Sequence, residues 1–269
     1  MLLDLFPEFL RWPVLTALVV GAAAPAIGFF LVERQMSVVG DAIGHTAFAG
    51  VALAHLLGLN PVATAVAVSV LAAAAVETLR TRNRAAGDRL LALLLYTGLA
   101  LGMVLASVAR AVNAGLFAFL FGSILTVDGP RFAVVGCLAG IVLGALALLY
   151  RRLLAVTIDD EAARAAGLPV LRVNLVLATL AALTVSLAMQ AVGLLLIAAL
   201  MVVPVLTSNL FAWSVRSSLL LAMGLGLVAS LGGLTIAYFA NLPPGGTTVL
   251  TAVALYGLAL LFQGLLRRG

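Results

Sequence analysis

Residues 131–152 read Arg131-Phe-Ala-Val-Val-Gly-Cys-Leu-Ala-Gly-Ile-Val-Leu-Gly-Ala-Leu-Ala-Leu-Leu-Tyr150-Arg151-Arg152. Nineteen uncharged residues lie between one arginine and a pair of them. A helix of about 20 apolar residues crosses the hydrocarbon core of a bilayer, so this run predicts a transmembrane span over 131–150. Working outward, the same reading marks spans at 13–32, 37–58, 61–79, 90–109, 171–189, 191–211, 218–239 and 247–266. The joints carry the chemistry of helix ends: Asn60-Pro61 starts a helix, Arg80 to Arg89 is a polar turn, and Asn241-Leu-Pro-Pro-Gly-Gly246 is a rigid turn. The expected fold is an all-α polytopic membrane protein, a helical bundle of about eight or nine transmembrane helices forming a single domain over residues 1–269.

Composition agrees and excludes several functions. Of 269 residues, 64% are hydrophobic and 9% charged, against roughly 25% charged in soluble domains. All 15 basic residues are arginine, so the chain has no Walker A lysine, Schiff-base lysine or Ser-Lys pair. The formal charge of +5 is scattered over loop ends rather than gathered into a basic face, which argues against a nucleic-acid partner. Cys137 is the single cysteine, so an intrachain disulfide is impossible. Asp4 and Glu8 stand where a secretory leader would be basic, and no cleavage is expected. Residues 1–12 read either as an amphipathic lead-in at the outer interface or as the frayed start of the first helix.

The segment 113–127 is apolar but short, and its placement follows from charge. If it makes no full crossing, twelve arginines share one side and only Arg11, Arg110 and Arg131 lie opposite. That asymmetry marks the cytoplasmic face. An interfacial or re-entrant segment is therefore expected, with the N-terminus outside and the C-terminus inside.

Ionisable groups within spans are costly and mark pathways. Asp41 and His45 lie four residues apart inside the second helix and so project from one face, one turn apart. A carboxylate and an imidazole suit zinc, and with other companions manganese or iron. From spacing alone two readings stand: metal ligation, or a buried Asp–His hydrogen bond between helices. His55 lies about 15 Å further along the axis and reads as an interfacial histidine, while Glu33 and Glu77 read as snorkelling ion pairs beside arginines. In the loop after residue 150, Asp159 and Asp160 offer N-caps, Glu161 to Ala166 favours a helix, and Gly167 with Pro169 ends it. This short capped helix suits either a docking element for a cytoplasmic partner or a plain loop helix. No His-Glu-x-x-His or serine-protease constellation is present, so intramembrane hydrolysis is not expected.

Four stretches together resemble a known family: Gly40-Asp-Ala-Ile-Gly-His-Thr-Ala-Phe-Ala-Gly50 and its continuation to Pro61, Leu120-Phe-Gly-Ser-Ile-Leu125, the loop Asp159 to Gly167, and Val192 to Pro204. The chain resembles the zinc/manganese/iron (ABC-3 type) permeases of ABC transporters, and within them is most similar to zinc uptake permeases. The resemblance implies a multi-pass permease subunit of the bacterial cytoplasmic membrane, not itself an enzyme and with no permanently bound cofactor, that imports a divalent metal. It implies a permease homodimer embedded in membrane lipid, separate ABC ATPase subunits, and an extracytoplasmic metal-binding protein. Asp41 and His45 match the family's metal-contacting Asp-x-x-x-His. Asp159, Asp160, Glu161, Ala162, Ala163 and Gly167 match its coupling helix, about 159–167, with the small face at Ala163 expected to enter the ATPase groove. A different class, a proton-coupled secondary carrier using Asp41 and His45, would require inverted repeats, and no internal symmetry is visible.

Overall fold

The computed structural model describes residues 8–82, 87–109, 122, 124–191 and 193–266. Among them lie ten α-helices: α1 (Arg11–Glu33), α2 (Val39–Leu57), α3 (Pro61–Arg82), α4 (Gly87–Val108), α5 (Gly129–Ile158), α6 (Asp160–Ala165), α7 (Val170–Ala191), α8 (Leu194–Asn209), α9 (Val215–Ala240) and α10 (Pro244–Leu266). Nine correspond to the nine predicted spans, and α6 is the predicted loop helix. Polar caps set several starts, as expected from the joints. Asn60 Oδ1 accepts from the amides of Val62 and Ala63 at the head of α3. Asp128 caps α5 through the Arg131 amide, and Ser214 with Ser217 forms a capping box on α9. Six helices, α1, α3, α4, α5, α9 and α10, are long and apolar enough to cross a membrane. The helix α2 falls outside that set, diluted by Asp41, His45 and His55.

Contacts at the helix ends fix the order of the bundle. Trp12 at the head of α1 stacks on Phe132 at the head of α5 with ring centroids 5.3 Å apart, and Phe9 lies 6.1 Å from Tyr238 near the end of α9. At the other end, Arg34 Nη1 donates to Asn174 Oδ1 (2.8 Å), Asn209 Nδ2 donates to Glu33 Oε1 (2.8 Å), and Gln263 Nε2 donates to the Leu210 carbonyl (3.0 Å). This end gathers Arg34, Arg80, Arg164, Arg172 and Arg216 at the termini of their helices, while Arg11 and Arg131 sit at the opposite one. The segregation inferred from charge is therefore a property of the fold.

The helices α2 and α4 run parallel, since Gly98 of α4 meets Thr46 and Gly102 meets Phe48. Hence α4 finishes at the end of the bundle where α5 begins, and the connection between Val108 and Gly129 starts and ends on one side. Most of 113–127 lies outside the described residues. What is described is a 3-10 turn at Ile124–Thr126 with Ile124 buried. Residues 1–7 also lie outside them, and from Glu8 the chain enters a 3-10 turn leading directly into α1.

The core centres on α1, which packs against α5, α7, α8 and α9. Ile27, Phe29 and Phe30 are almost fully enclosed. Small residues permit the crossings: Gly21 faces Gly226 of α9, and Gly28 lies on the Met201 carbonyl of α8. Without a hydrophobic drive between helices in lipid, such backbone proximity supplies the dispersion contacts that hold the bundle.

Candidate metal site

Asp41 and His45 stand on the first two turns of α2, both half-buried. Neither makes a hydrogen bond with a described residue, and His45 Nδ1 is buried without a partner. The interhelical Asp–His hydrogen bond, one of the two readings of their spacing, is not formed. An unsatisfied buried polar atom costs about 1–3 kcal/mol, and this nitrogen is left with its hydrogen-bonding capacity unused by the chain. Among the described residues no cluster of three or more His, Cys, Asp or Glu side chains occurs. The pair offers two donor side chains, fewer than the four of a closed tetrahedral cage.

Four helices frame this part of α2. Gly40 and Gly44 face α8 and the end of α7, where a Cβ on Gly40 would lie 3.5 Å from Met201 Sδ and one on Gly44 would lie 3.6 Å from a Val185 methyl. On another side, α4 presses its Gly98 against the backbone of His45 and Thr46. The helix α3 approaches higher up, where Gly50 faces Thr64 and Ala65. With 100° between successive residues, Asp41 and His45 fall in the sector between the α8-facing glycines and the α4-facing backbone. That sector keeps both side chains partly exposed.

Two carboxylates and a second histidine lie away from this pair. His55 is exposed near the opposite end of α2, and its Nδ1 donates to the Val51 carbonyl of its own helix (2.9 Å). Glu33 is exposed but pairs with Asn209 rather than an arginine. Glu77 does not snorkel: it is buried, held by Arg80 at 3.0 and 3.3 Å. Arg80 also reaches Met36 Sδ at 3.0 Å, and beside it Arg34 bonds Asn174. Burial pulls the Arg34 guanidinium below its ordinary value, with Arg80 adding repulsion, while Glu77 and Asp160 act against the shift. A small cavity of about 20 Å³ is lined jointly by Arg34, Glu77 and Asn174 and by Val39 and Ile43 of α2. Asn174 was not singled out from sequence, although an amide in the first turns of an apolar span was the available signal.

The helix α6 forms within the expected 159–167, one residue earlier than the 161–166 read as its body, with Asp159 as its N-cap and Asp160 inside the first turn. Asp159 Oδ1 accepts from the amides of Glu161 and Ala162, both at 2.9 Å, and Gly167 takes φ +78° to end it. Asp160 pairs with Arg164 at 3.4 Å. One expectation is corrected. Ala163 is only 4% exposed and packs into the core, so it seats α6 on the bundle. The outward face is formed by Glu161, Ala162, Ala165 and Ala166. The Leu168 amide donates to the Ala163 carbonyl (3.0 Å) and closes the C-terminal end of α6.

With this geometry in place, the model of the ABC 3 transport family matches residues 7–263. The chain belongs to the ABC 3 transport family. This permease is 34% identical over 249 residues to the manganese import system permease protein ScaB of Streptococcus gordonii, covering 93% of this chain and 89% of the relative. It is 30% identical over 253 residues to the high-affinity zinc uptake system membrane protein ZnuB of Haemophilus influenzae, covering 94% and 97%. Among solved structures, PsaBC from Streptococcus pneumoniae in complex with Fab superposes with a TM-score of 0.85 at 35% identity, covering 96% of this chain and 92% of that one. The four-motif resemblance thus holds as family membership, and the relatives are permease subunits rather than enzymes. Relatives named for manganese and for zinc match over comparable lengths, so zinc is not singled out among them.

Proposed function

We propose that this permease is the membrane subunit of an ATP-driven importer carrying a divalent first-row transition metal into the bacterial cytoplasm. The observation that carries the reading is the Asp41–His45 pair, two ligand side chains left without partners on one face of α2 in an ABC 3 permease. The ion is substrate, and the pair is a transit site. Weak two-donor ligation from one chain allows capture and release, where a four-donor cage would retain zinc. Imidazole in the ligand set favours zinc over manganese by the order of divalent affinities, and zinc is the ion we propose.

The sector holding Asp41 and His45 opens outward from the chain between α4 and α8. Ionisable groups facing lipid are expensive, so we infer that a second copy of the permease covers it and that the pathway follows the two-fold axis between them. Separate ATPase subunits would dock at α6 on the arginine-rich end. An extracytoplasmic binding protein would load the opposite end. ATP-driven closure would then move α6 and rock the helices that frame α2.

The test is uptake of radiolabelled metal by cells or proteoliposomes containing the permease with its ATPase. Asp41→Asn and His45→Ala should each abolish uptake while the complex still assembles and hydrolyses ATP. Uptake at the unmodified rate in either variant would make the pair structural and move the site elsewhere.

A further inference from the structure

Between α1, α5 and α9, on the arginine-rich end of the bundle, lies a cavity of about 490 Å³ that belongs neither to the Asp41–His45 site nor to α6. Its floor is apolar, with Ala26 and Leu146 buried, and its flanks include the exposed Ala147 and Leu220. Two guanidinium groups line it as well, Arg151 from α5 and Arg216 from the first turn of α9. Both are exposed, and neither makes an ion pair or hydrogen bond with a described residue. Trp213, 92% exposed, precedes α9 by two residues. An unpacked indole at that position belongs to the interfacial belt and sets Arg216 at headgroup depth.

An apolar groove between membrane helices, open sideways and closed at its cytoplasmic end by two uncompensated cations, has the polarity of one anionic lipid molecule. Hydrocarbon fits the floor and a phosphate fits the cations. Arginine suits a phosphate because its planar fork donates two parallel bonds, and the start of α9 adds the positive end of a helix dipole. Basic pockets between spans on the cytoplasmic side take anionic headgroups for these reasons. We propose that this groove binds one anionic phospholipid of the cytoplasmic leaflet, its phosphate between Arg151 and Arg216 and an acyl chain along Leu146 and Leu220. Because α1 carries the core of the bundle and α9 crosses it at Gly21–Gly226, the lipid would act as a wedge between the hub and a flanking helix.

The experiment is native mass spectrometry of the purified permease–ATPase complex incubated with phosphatidylglycerol or with phosphatidylcholine of the same acyl chains. One phosphatidylglycerol per permease chain should survive detergent washing, and phosphatidylcholine should not. The double variant Arg151→Gln/Arg216→Gln should lower retention by roughly tenfold or more. Ala147→Trp, which fills the groove and leaves both charges in place, should do the same, whereas Arg131→Gln at the opposite end should leave retention unchanged. Equal retention of the two lipids, or undiminished phosphatidylglycerol in the double variant, would overturn the proposal. Glycerol phosphate competing as well as the intact lipid would reduce the site to an anion site and overturn the acyl assignment. A disulfide between two permease chains through Ala147→Cys would assign the groove to a subunit contact instead.

Discussion

Gly98 of α4 lies against the backbone of His45 in α2, so closely that a Cβ there would sit 2.9 Å from the His45 carbonyl carbon and 2.8 Å from the Thr46 amide nitrogen. Both atoms belong to a helical backbone and cannot yield as a flexible side chain would. The helix carrying the proposed ligands is therefore positioned by a neighbour that has no side chain at the crossing. Gly98→Ala should force α4 away from His45 at a cost of about 1–3 kcal/mol and reduce metal uptake sharply with Asp41 and His45 untouched. Uptake and thermal unfolding of the purified complex check this together; unchanged uptake with lowered stability would mean that the crossing serves the fold alone.

The buried cluster at the arginine-rich end yields a stability prediction. Glu77 is the carboxylate that balances Arg80 directly and Arg34 through space. Glu77→Gln takes away the ion-pair partner of Arg80 and leaves only Asp160 to offset the charge of Arg34, and should destabilise by about 3–5 kcal/mol. Asn174→Ala removes a single acceptor from Arg34 and should cost about 1–3 kcal/mol. Thermal unfolding in detergent should rank the two in that order, and the reverse ranking would show that Arg80 finds another partner when Glu77 is neutral.

At α6 the corrected orientation of Ala163 separates two effects. Ala162→Arg places bulk on the outward face and should leave the permease as stable as before while co-purification of the ATPase fails. Ala163→Asp puts a charge into the core side and should lower the unfolding temperature first. Asp159→Ala removes the cap at a cost of about 0.5–2 kcal/mol and should weaken coupled ATP hydrolysis. Normal complex formation by the Ala162 variant would remove α6 from the ATPase contact.

Metal preference is open to a direct competition. With an imidazole in the ligand set, zinc should suppress manganese uptake more strongly than the converse. Rescue of a transport-deficient strain by manganese alone would overturn zinc as the preferred ion. Selectivity in the binding protein is separated by using proteoliposomes without it.

The nine long helices, the caps at Asn60 and Asp159, and the sidedness of the arginines were all legible in the chain itself. Each depends on a local rule: a span needs a run of apolar residues, a helix start needs an acceptor for its free amides, and charge cannot rest in hydrocarbon. The i, i+4 spacing of Asp41 and His45 was legible for the same reason. What lies beside them was not. In spans that are apolar on every side, hydrophobic periodicity carries little information about which face is covered. So the contact of Gly98 with His45, the inward turn of Ala163, the burial of Glu77 and the bond from Arg34 to Asn174 were decided only when the helices packed. The groove holding Arg151 and Arg216 arises in the same way: residues 65 apart in sequence share one cavity because α5 and α9 both flank α1, and no local rule relates them.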